Sequence, residues 1–258
     1  DIITHINGIA ITAKTPLDSL LTDQVGKRIN LRYTSDGVDK EAAITGLSYT
    51  EYRQLYYTYK VSRARQTVSD LTNGRIGYVH IPAMGGRDLE NFQRELFRDN
   101  ADKDALIIDV RGNSGGYVHD QIISLLNKKP YAYSTSRRYS GERNQEPRRA
   151  WTRPTIVLVD EGSFSDGEIF PTVYQELKLG KVVGSPSSGS VIGTWEFELI
   201  DGSSMRLPGS GWYRLDGTNM EGNGVVPDII VENTPADEIA GRDAQLLRAV
   251  EEILKEVK

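Results

Sequence analysis

The sequence predicts an α/β domain built on parallel strands, preceded by a small β-rich module. Three observations carry that expectation. From Arg75 onward, strand-length apolar runs alternate with helix-length amphipathic segments. Residues 105–110, ALIIDV, are apolar enough to form a buried strand. Residues 1–47, by contrast, hold short alternating runs punctuated by Asn7-Gly8, Gly26 and Asp36-Gly37.

Residues 2–12 alternate around Asn7-Gly8, which predicts a hairpin. Leu17, Leu20, Leu21 and Val25 at helical spacing predict a short helix after Thr15-Pro16, stopped by Gly26. Residues 28–34 read as a strand with Ile29, Leu31 and Tyr33 on one face, and residues 41–47 as another. This module is too short to close a good core alone. Residues 48–73 are polar and rich in Tyr and Arg, and read as a partly helical connector. Strands are then predicted at 76–81, 105–110, 155–159 and 181–184, with helices at 88–97, 117–126 and 165–177 between them. A hairpin around Asp201-Gly202 is predicted within 196–207, and an amphipathic helix over 243–257. The expected organisation is a module over 1–48, a connector over 49–74 and a core domain over 75–258.

Composition narrows the function. The 258 residues suffice for one large domain or a domain plus a module. Apolar content of 38% and charged content of 26% suit a folded globular chain. A net charge of −5 gives no basic surplus for nucleic acid. Arg137, Arg138, Arg143, Arg148 and Arg149 cluster locally, and read more readily as a solvated loop than as a phosphate patch. Cysteine is absent, which excludes disulfides, thiolate zinc sites and cysteine nucleophiles but leaves the compartment open. No apolar stretch approaches the roughly 20 residues of a membrane-spanning helix, and no targeting segment is legible. The chain opens on Asp1-Ile2-Ile3 without a Met, so it is expected to be a piece of a longer protein.

Two segments carry chemistry. SFSDGEIF, residues 163–170, follows an apolar run ending at Asp160 and starts a helix near Ser165. A serine there feels the positive end of the helix dipole and sits beside unpaired N–H groups. Taken alone, Ser165 with Glu168 three residues on also reads as a capping box. DVRGNSGG, residues 109–116, ends one buried strand and precedes a helix. Alone it reads equally as a phosphate-binding turn or a plain tight turn, although it lacks a P-loop ending and is not GxGxxG. Together, a glycine turn at one strand end and a serine at the next can build an oxyanion hole beside a nucleophile. That combination points to acyl transfer by serine.

In order and context, the two segments resemble those of the tail-specific (C-terminal-processing) serine peptidases, in the tricorn-like branch. Further motifs extend the resemblance over nearly the whole chain: DIITHING near the start, RIGYVHIP at 75–82, LGKVVG at 179–184 and GNGVVPDI at 222–229. The resemblance implies a layered β-α-β catalytic core of the ClpP/crotonase-like type, with residues 1–48 as the C-terminal part of a PDZ-like module. It implies Ser165 as nucleophile and the backbone N–H groups of Gly116 and Asp166 as oxyanion donors, worth roughly 3–4 kcal/mol each. The side chain of Asp166 is then expected to matter less. Glu221, in MEGNGV, falls where the branch has a glutamate relaying charge through a serine and a histidine; on its own it reads as a surface loop carboxylate. No metal or organic cofactor is implied. The substrate class is a peptide or unfolded protein, and the intact protein is expected to be a homo-oligomer.

The chain departs from the family at three places. Ser190 stands where the bacterial branch has a lysine base, so a Ser–Lys dyad is not expected. The histidine of the tricorn-like branch lies before the PDZ module and has no counterpart among the 258 residues. Of the three histidines present, His5 and His80 read as structural. His119, beside Asp120 and three residues past the glycine turn, is the resident candidate for a base; its plainer reading is a polar position at a helix start. Ser134 occupies the position of an acidic residue in the substrate pocket, so a preference for basic side chains does not transfer. Tyr117, Phe164 and Ile192 are candidates to line an apolar cleft beside it. Two other readings stay open: a non-catalytic peptide-binding fragment, and a crotonase-type acyl-CoA enzyme by fold analogy.

Overall fold

Turn chemistry organises the first 62 residues. The computed structural model describes residues 1–135 and 143–257, so Arg137 and Arg138 lie outside the described residues. The chain divides into two units, Asp1–Ser62 and Arg63–Lys258. In the first, β1 (Ile2–Ile6) and β2 (Ile9–Ala10) are joined by Asn7 at φ 49° and Gly8 at φ 81°, as a two-residue hairpin turn requires. The single-turn helix α1 (Leu17–Leu21) is shorter than its apolar spacing predicts. Asp23 turns left-handed at φ 55°, and Val25 bridges to Gly46 rather than extending the helix. β3 (Arg28–Ser35) and β4 (Val38–Thr45) complete an antiparallel sheet in the order β2-β1-β3-β4. Ile6 and Ile29 are the only buried residues of this unit.

The expected connector is one continuous helix, α2 (Tyr49–Thr72). Ser48 and Glu51 close a reciprocal capping box at its start: Ser48 N donates to Glu51 Oε2 at 2.8 Å and Glu51 N to Ser48 Oγ at 3.2 Å. Its sequence has little amphipathic period, and only Val68 and Thr72 are buried.

The second unit runs β5 (Ile76–His80), α3 (Gly86–Arg94, continued by π-helical Glu95–Asp99), β6 (Ala105–Asp109) and α4 (His119–Leu126). A short hairpin follows, β7 (Ala132–Thr135) with β8 (Arg143–Glu146). Then come β9 (Thr155–Val159), α5 (Asp166–Glu176), β10 (Gly180–Gly184), and the hairpin β11 (Gly193–Glu198) with β12 (Ser204–Ser210). The chain ends in β13 (Ile229–Ile230), α6 (Pro235–Ile239) and α7 (Ala244–Leu254). Five strands form one parallel sheet in the order β13-β10-β9-β6-β5. The chain is thus a mixed α/β protein with a parallel sheet. Every residue of β6 and β9 is buried, because helices cover both faces. Leu106, Ile108, Val157 and Val159 share a core with Phe92, Ile122, Phe170 and Tyr174 from α3, α4 and α5, while α7 packs on β6, β9 and β10. Among the described residues no helix is long and apolar enough to cross a membrane.

Candidate active site

Parallel strands deliver their outgoing loops to one end of the sheet, and that is where ligands bind in such folds. Here the loops after β5, β6, β9 and β10 are joined side by side in strand order. Ser114 N donates to Pro82 O at 3.0 Å, and Met84 N to Gly115 O at 2.8 Å. Phe164 N donates to Asn113 O at 2.8 Å, and Ser165 N to Ser190 O at 3.1 Å. Main-chain bonds therefore connect the glycine turn to the Ser165 segment.

The glycines are there for space. A Cβ on Gly116, whose φ is 153°, would stand 2.0 Å from Met84 O. A Cβ on Gly115 would stand 2.7 Å from Ser165 Cβ and 3.4 Å from Asp166 N. Asn113, fully buried, braces the turn: its Oδ1 accepts from Gly115 N at 2.8 Å and its Nδ2 donates to Ile81 O at 2.7 Å.

Ser165 sits between β9 and α5 at φ 51° and ψ −117°. A non-glycine residue there is strained by about 1–3 kcal/mol, and such outliers cluster at functional sites. The capping-box reading fails in this geometry. Ser165 Oγ makes no cap bond, and among the described residues it has no hydrogen-bond partner. Glu168, fully buried, turns instead to Ser187 Oγ, Gly189 N at 2.8 Å and Ser190 N at 2.8 Å. Among the described residues, the N–H groups of Gly116 and Asp166 also meet no acceptor.

The Asp166 side chain has a structural part of its own beside the backbone role expected of the residue. Its carboxylate, 2% exposed, accepts from Val118 N at 2.8 Å and His119 N at 3.0 Å, and pairs with His119 Nδ1. It thereby caps α4, whose own N-cap Val118 has no side-chain acceptor. The His119 ring stands edge-on to Trp212 at 5.2 Å. Glu221 is half-buried and its Oε2 accepts from Val191 N at 2.7 Å, one residue beyond Ser190. The other histidines hold structural bonds, His5 Nδ1 with Thr4 Oγ1 and His80 Nε2 with Arg111 O.

The pocket candidates are less gathered. Phe164 adjoins Ser165 and is 46% exposed, and Ile192 follows Val191 at 37%. Tyr117 is 74% exposed beside Gly116. Ser134 lies on β7 and donates to Glu146 Oε1 at 3.1 Å, so a carboxylate stands one hydrogen bond from a position the sequence left neutral. Arg148 Nε approaches the same oxygen at 3.7 Å.

Residues 75–231 match peptidase family S41. The chain belongs to that family. Its relatives include the tricorn protease of Thermoplasma acidophilum, 32% identical over all of this chain and 24% of that protein. The tricorn protease of Thermoplasma volcanium is 35% identical over 80% of this chain and 20% of that protein. The crystal structure of the tricorn protease superposes with a TM-score of 0.79 at 30% identity, covering 98% of this chain and 25% of that one. The chain spans about a quarter of the length of these family S41 relatives.

Asn113 and Glu168 were not singled out from the sequence as bracing residues. Asn113 had a signal, since an amide between two glycine positions of a tight turn is placed to bond its own backbone.

Proposed function

We propose that this chain is the catalytic part of a serine peptidase that cleaves peptide or unfolded-protein substrates through an acyl-enzyme. The observation that carries the reading is Ser165, strained at φ 51°, its Oγ without a partner among the described residues, against a glycine turn. In this reading Ser165 Oγ attacks the peptide carbonyl. The N–H groups of Gly116 and Asp166 receive the oxyanion, and the tetrahedral intermediate collapses to expel the amine. Glu221 orients the base through relay groups. The Asp166 bond to His119 Nδ1 leaves Nε2 free, but no hydrogen bond joins His119 to Ser165 among the described residues. We therefore assign the base, which takes the Ser165 proton and returns it to the leaving amine, to a histidine outside these residues, as the resemblance to the tricorn-like branch implies. Tyr117, Phe164, Ile192 and Ser134 are the proposed walls of the substrate pocket.

Family membership supports three structural proposals alongside. Residues 1–48 are the C-terminal part of a PDZ-like module, residues 49–74 a connector, and residues 75–258 a core of ClpP/crotonase-like layering. The intact protein is proposed to assemble as a homo-oligomer.

A fluorophosphonate probe tests the reading. Covalent label on Ser165, abolished in Ser165→Ala, is the expected result. An unlabelled Ser165 with retained peptide affinity would favour a non-catalytic binding role, and turnover of a CoA thioester would favour acyl-CoA chemistry.

A further inference from the structure

We propose that Glu168 is a positioning residue that holds the nucleophile and the Glu221 loop in one register; the proposal rests on the peptidase reading above. Glu168 lies in the first turn of α5 and is fully buried. No lysine, arginine or histidine pairs with it among the described residues. Its charge is met by three donors instead: Ser187 Oγ, Gly189 N at 2.8 Å and Ser190 N at 2.8 Å. A buried carboxylate without a cation is tolerated when hydrogen bonds replace its lost water.

Three consecutive amides follow one another onto two carboxylates. Those of 189 and 190 donate to Glu168, and that of Val191 donates to Glu221 at 2.7 Å. Gly189 is left-handed at φ 77°, which helps successive N–H groups converge on an anion. The other side of the same segment holds the nucleophile, because Ser190 O accepts from Ser165 N at 3.1 Å. The Glu221 loop is tied in twice more, by Gly222 N to Gly189 O at 2.7 Å and by Val225 N to Ser187 Oγ at 2.9 Å. Gly224 leaves room for the closure: a Cβ there would stand 2.8 Å from Glu168 Oε2. One carboxylate on the nucleophile helix therefore fixes the strap between Ser165 and Glu221.

A neutral amide cannot do this. Glutamine offers one oxygen to three donors and turns an NH2 toward groups that are already donors. Glu168→Gln in the full-length protein is expected to lower kcat and the fluorophosphonate labelling rate by about 100-fold, with KM within about twofold. Amide exchange at Ser165 and Val191 is expected to speed up by at least about tenfold, while the β6 and β9 amides keep their protection. A folded variant with wild-type exchange at Ser165 and Val191 would overturn the proposal. So would faster exchange there with an unchanged kcat. If Glu168→Gln does not fold, Ser187→Ala decides, because it removes one of the three donors and leaves the carboxylate. About a tenfold loss of labelling with faster exchange at Ser165 supports the proposal, and wild-type values for both sink it. If wild-type Ser165 takes no label, the peptidase reading fails, and the exchange at Ser165 and Val191 still shows whether Glu168 sets their register.

Discussion

The two ends of the segment 109–116 differ in what they leave open. At the Asp109 end both charged side chains are fully paired. Arg111 forks onto Asp109 and Asp243, at 2.7 and 2.8 Å, and reaches Gln245 Oε1 at 3.0 Å. Tyr78 OH donates to Asp109 at 2.7 Å. At the other end, Gly116 N–H meets no acceptor among the described residues, and neither does the adjacent Ser165 hydroxyl. Gly116 is exposed and Ser165 half-buried, so these two groups lie where a substrate can reach them. Under the proposed function the loop thereby separates anchoring from chemistry. The saturated end ties β6 to α7; the open end faces the strained serine.

The comparison breaks most sharply at Ser165. Ser165→Ala is expected to remove about 10⁴–10⁶-fold of peptide hydrolysis, about 5–8 kcal/mol of barrier, with little change in the urea midpoint. Hydrolysis that persists in a well-folded variant would place the chemistry elsewhere.

At the saturated end the reverse is expected. Arg111→Ala leaves Asp109 and Asp243 facing each other with no cation, and is expected to cost about 3–5 kcal/mol in urea unfolding. Arg111→Lys restores charge but not the fork, and is expected to recover only part of it. Gly116→Ala should do the opposite. Its Cβ would stand 2.0 Å from Met84 O, so the turn must shift and carry the free N–H with it. The expected loss is about 10²–10³ in kcat, about 3–4 kcal/mol, with a smaller effect on unfolding. A large stability loss and normal kcat would mean that Gly116 belongs with the anchor.

How much of this was legible follows the range of each interaction. Local patterns gave four of the five strands of the parallel sheet, since runs such as ALIID and TIVLV announce burial by composition. They missed β13, two residues long, and the polar hairpin of β7 and β8, because neither carries a period. The Tyr- and Arg-rich stretch became an uninterrupted helix, fixed by its Ser48–Glu51 cap and not by an apolar stripe. At the site, the glycine turn was readable because it needs an unusual local backbone, whereas Ser165 alone read as a helix cap and was singled out by its pairing with that turn and by the family resemblance. The direction of Glu168 was not. Its partners lie 19 to 22 residues away, on a segment, SPSSGS, with no secondary-structure signal. A serine and a glutamate three apart fit a cap equally well, and only tertiary packing chose otherwise.

Acid sharpens the anchoring half by a moderate amount. Burial opposes the charge of Asp109, but Arg111 more than offsets it through charge and hydrogen bonds, and holds the carboxyl down to about 2 from its ordinary 3.8. A carboxyl whose pKa falls on folding stabilises the fold above its unfolded value and loses that contribution as pH drops through its folded value. Between about pH 4 and pH 2, the wild type is therefore expected to lose about 2 kcal/mol that Asp109→Asn does not lose. Parallel pH–stability curves for the two proteins would remove Arg111–Asp109 from the acid response.

The smallest effect tests which half Asp166 belongs to, because its two ends answer differently. Its N–H is open, while its carboxylate is saturated by Val118 N, His119 N and the His119 ring. Asp166→Asn keeps the N–H and an accepting oxygen but removes the charge at the start of α4. The cap and dipole contribution lost is about 1 kcal/mol, and the expected change in kcat is a fall of only about three- to tenfold. Loss of hydrolysis comparable to Gly116→Ala, with the urea midpoint unmoved, would show that the carboxylate acts on substrate. Loss of stability alone would show that it serves the scaffold, with only its backbone left facing the serine.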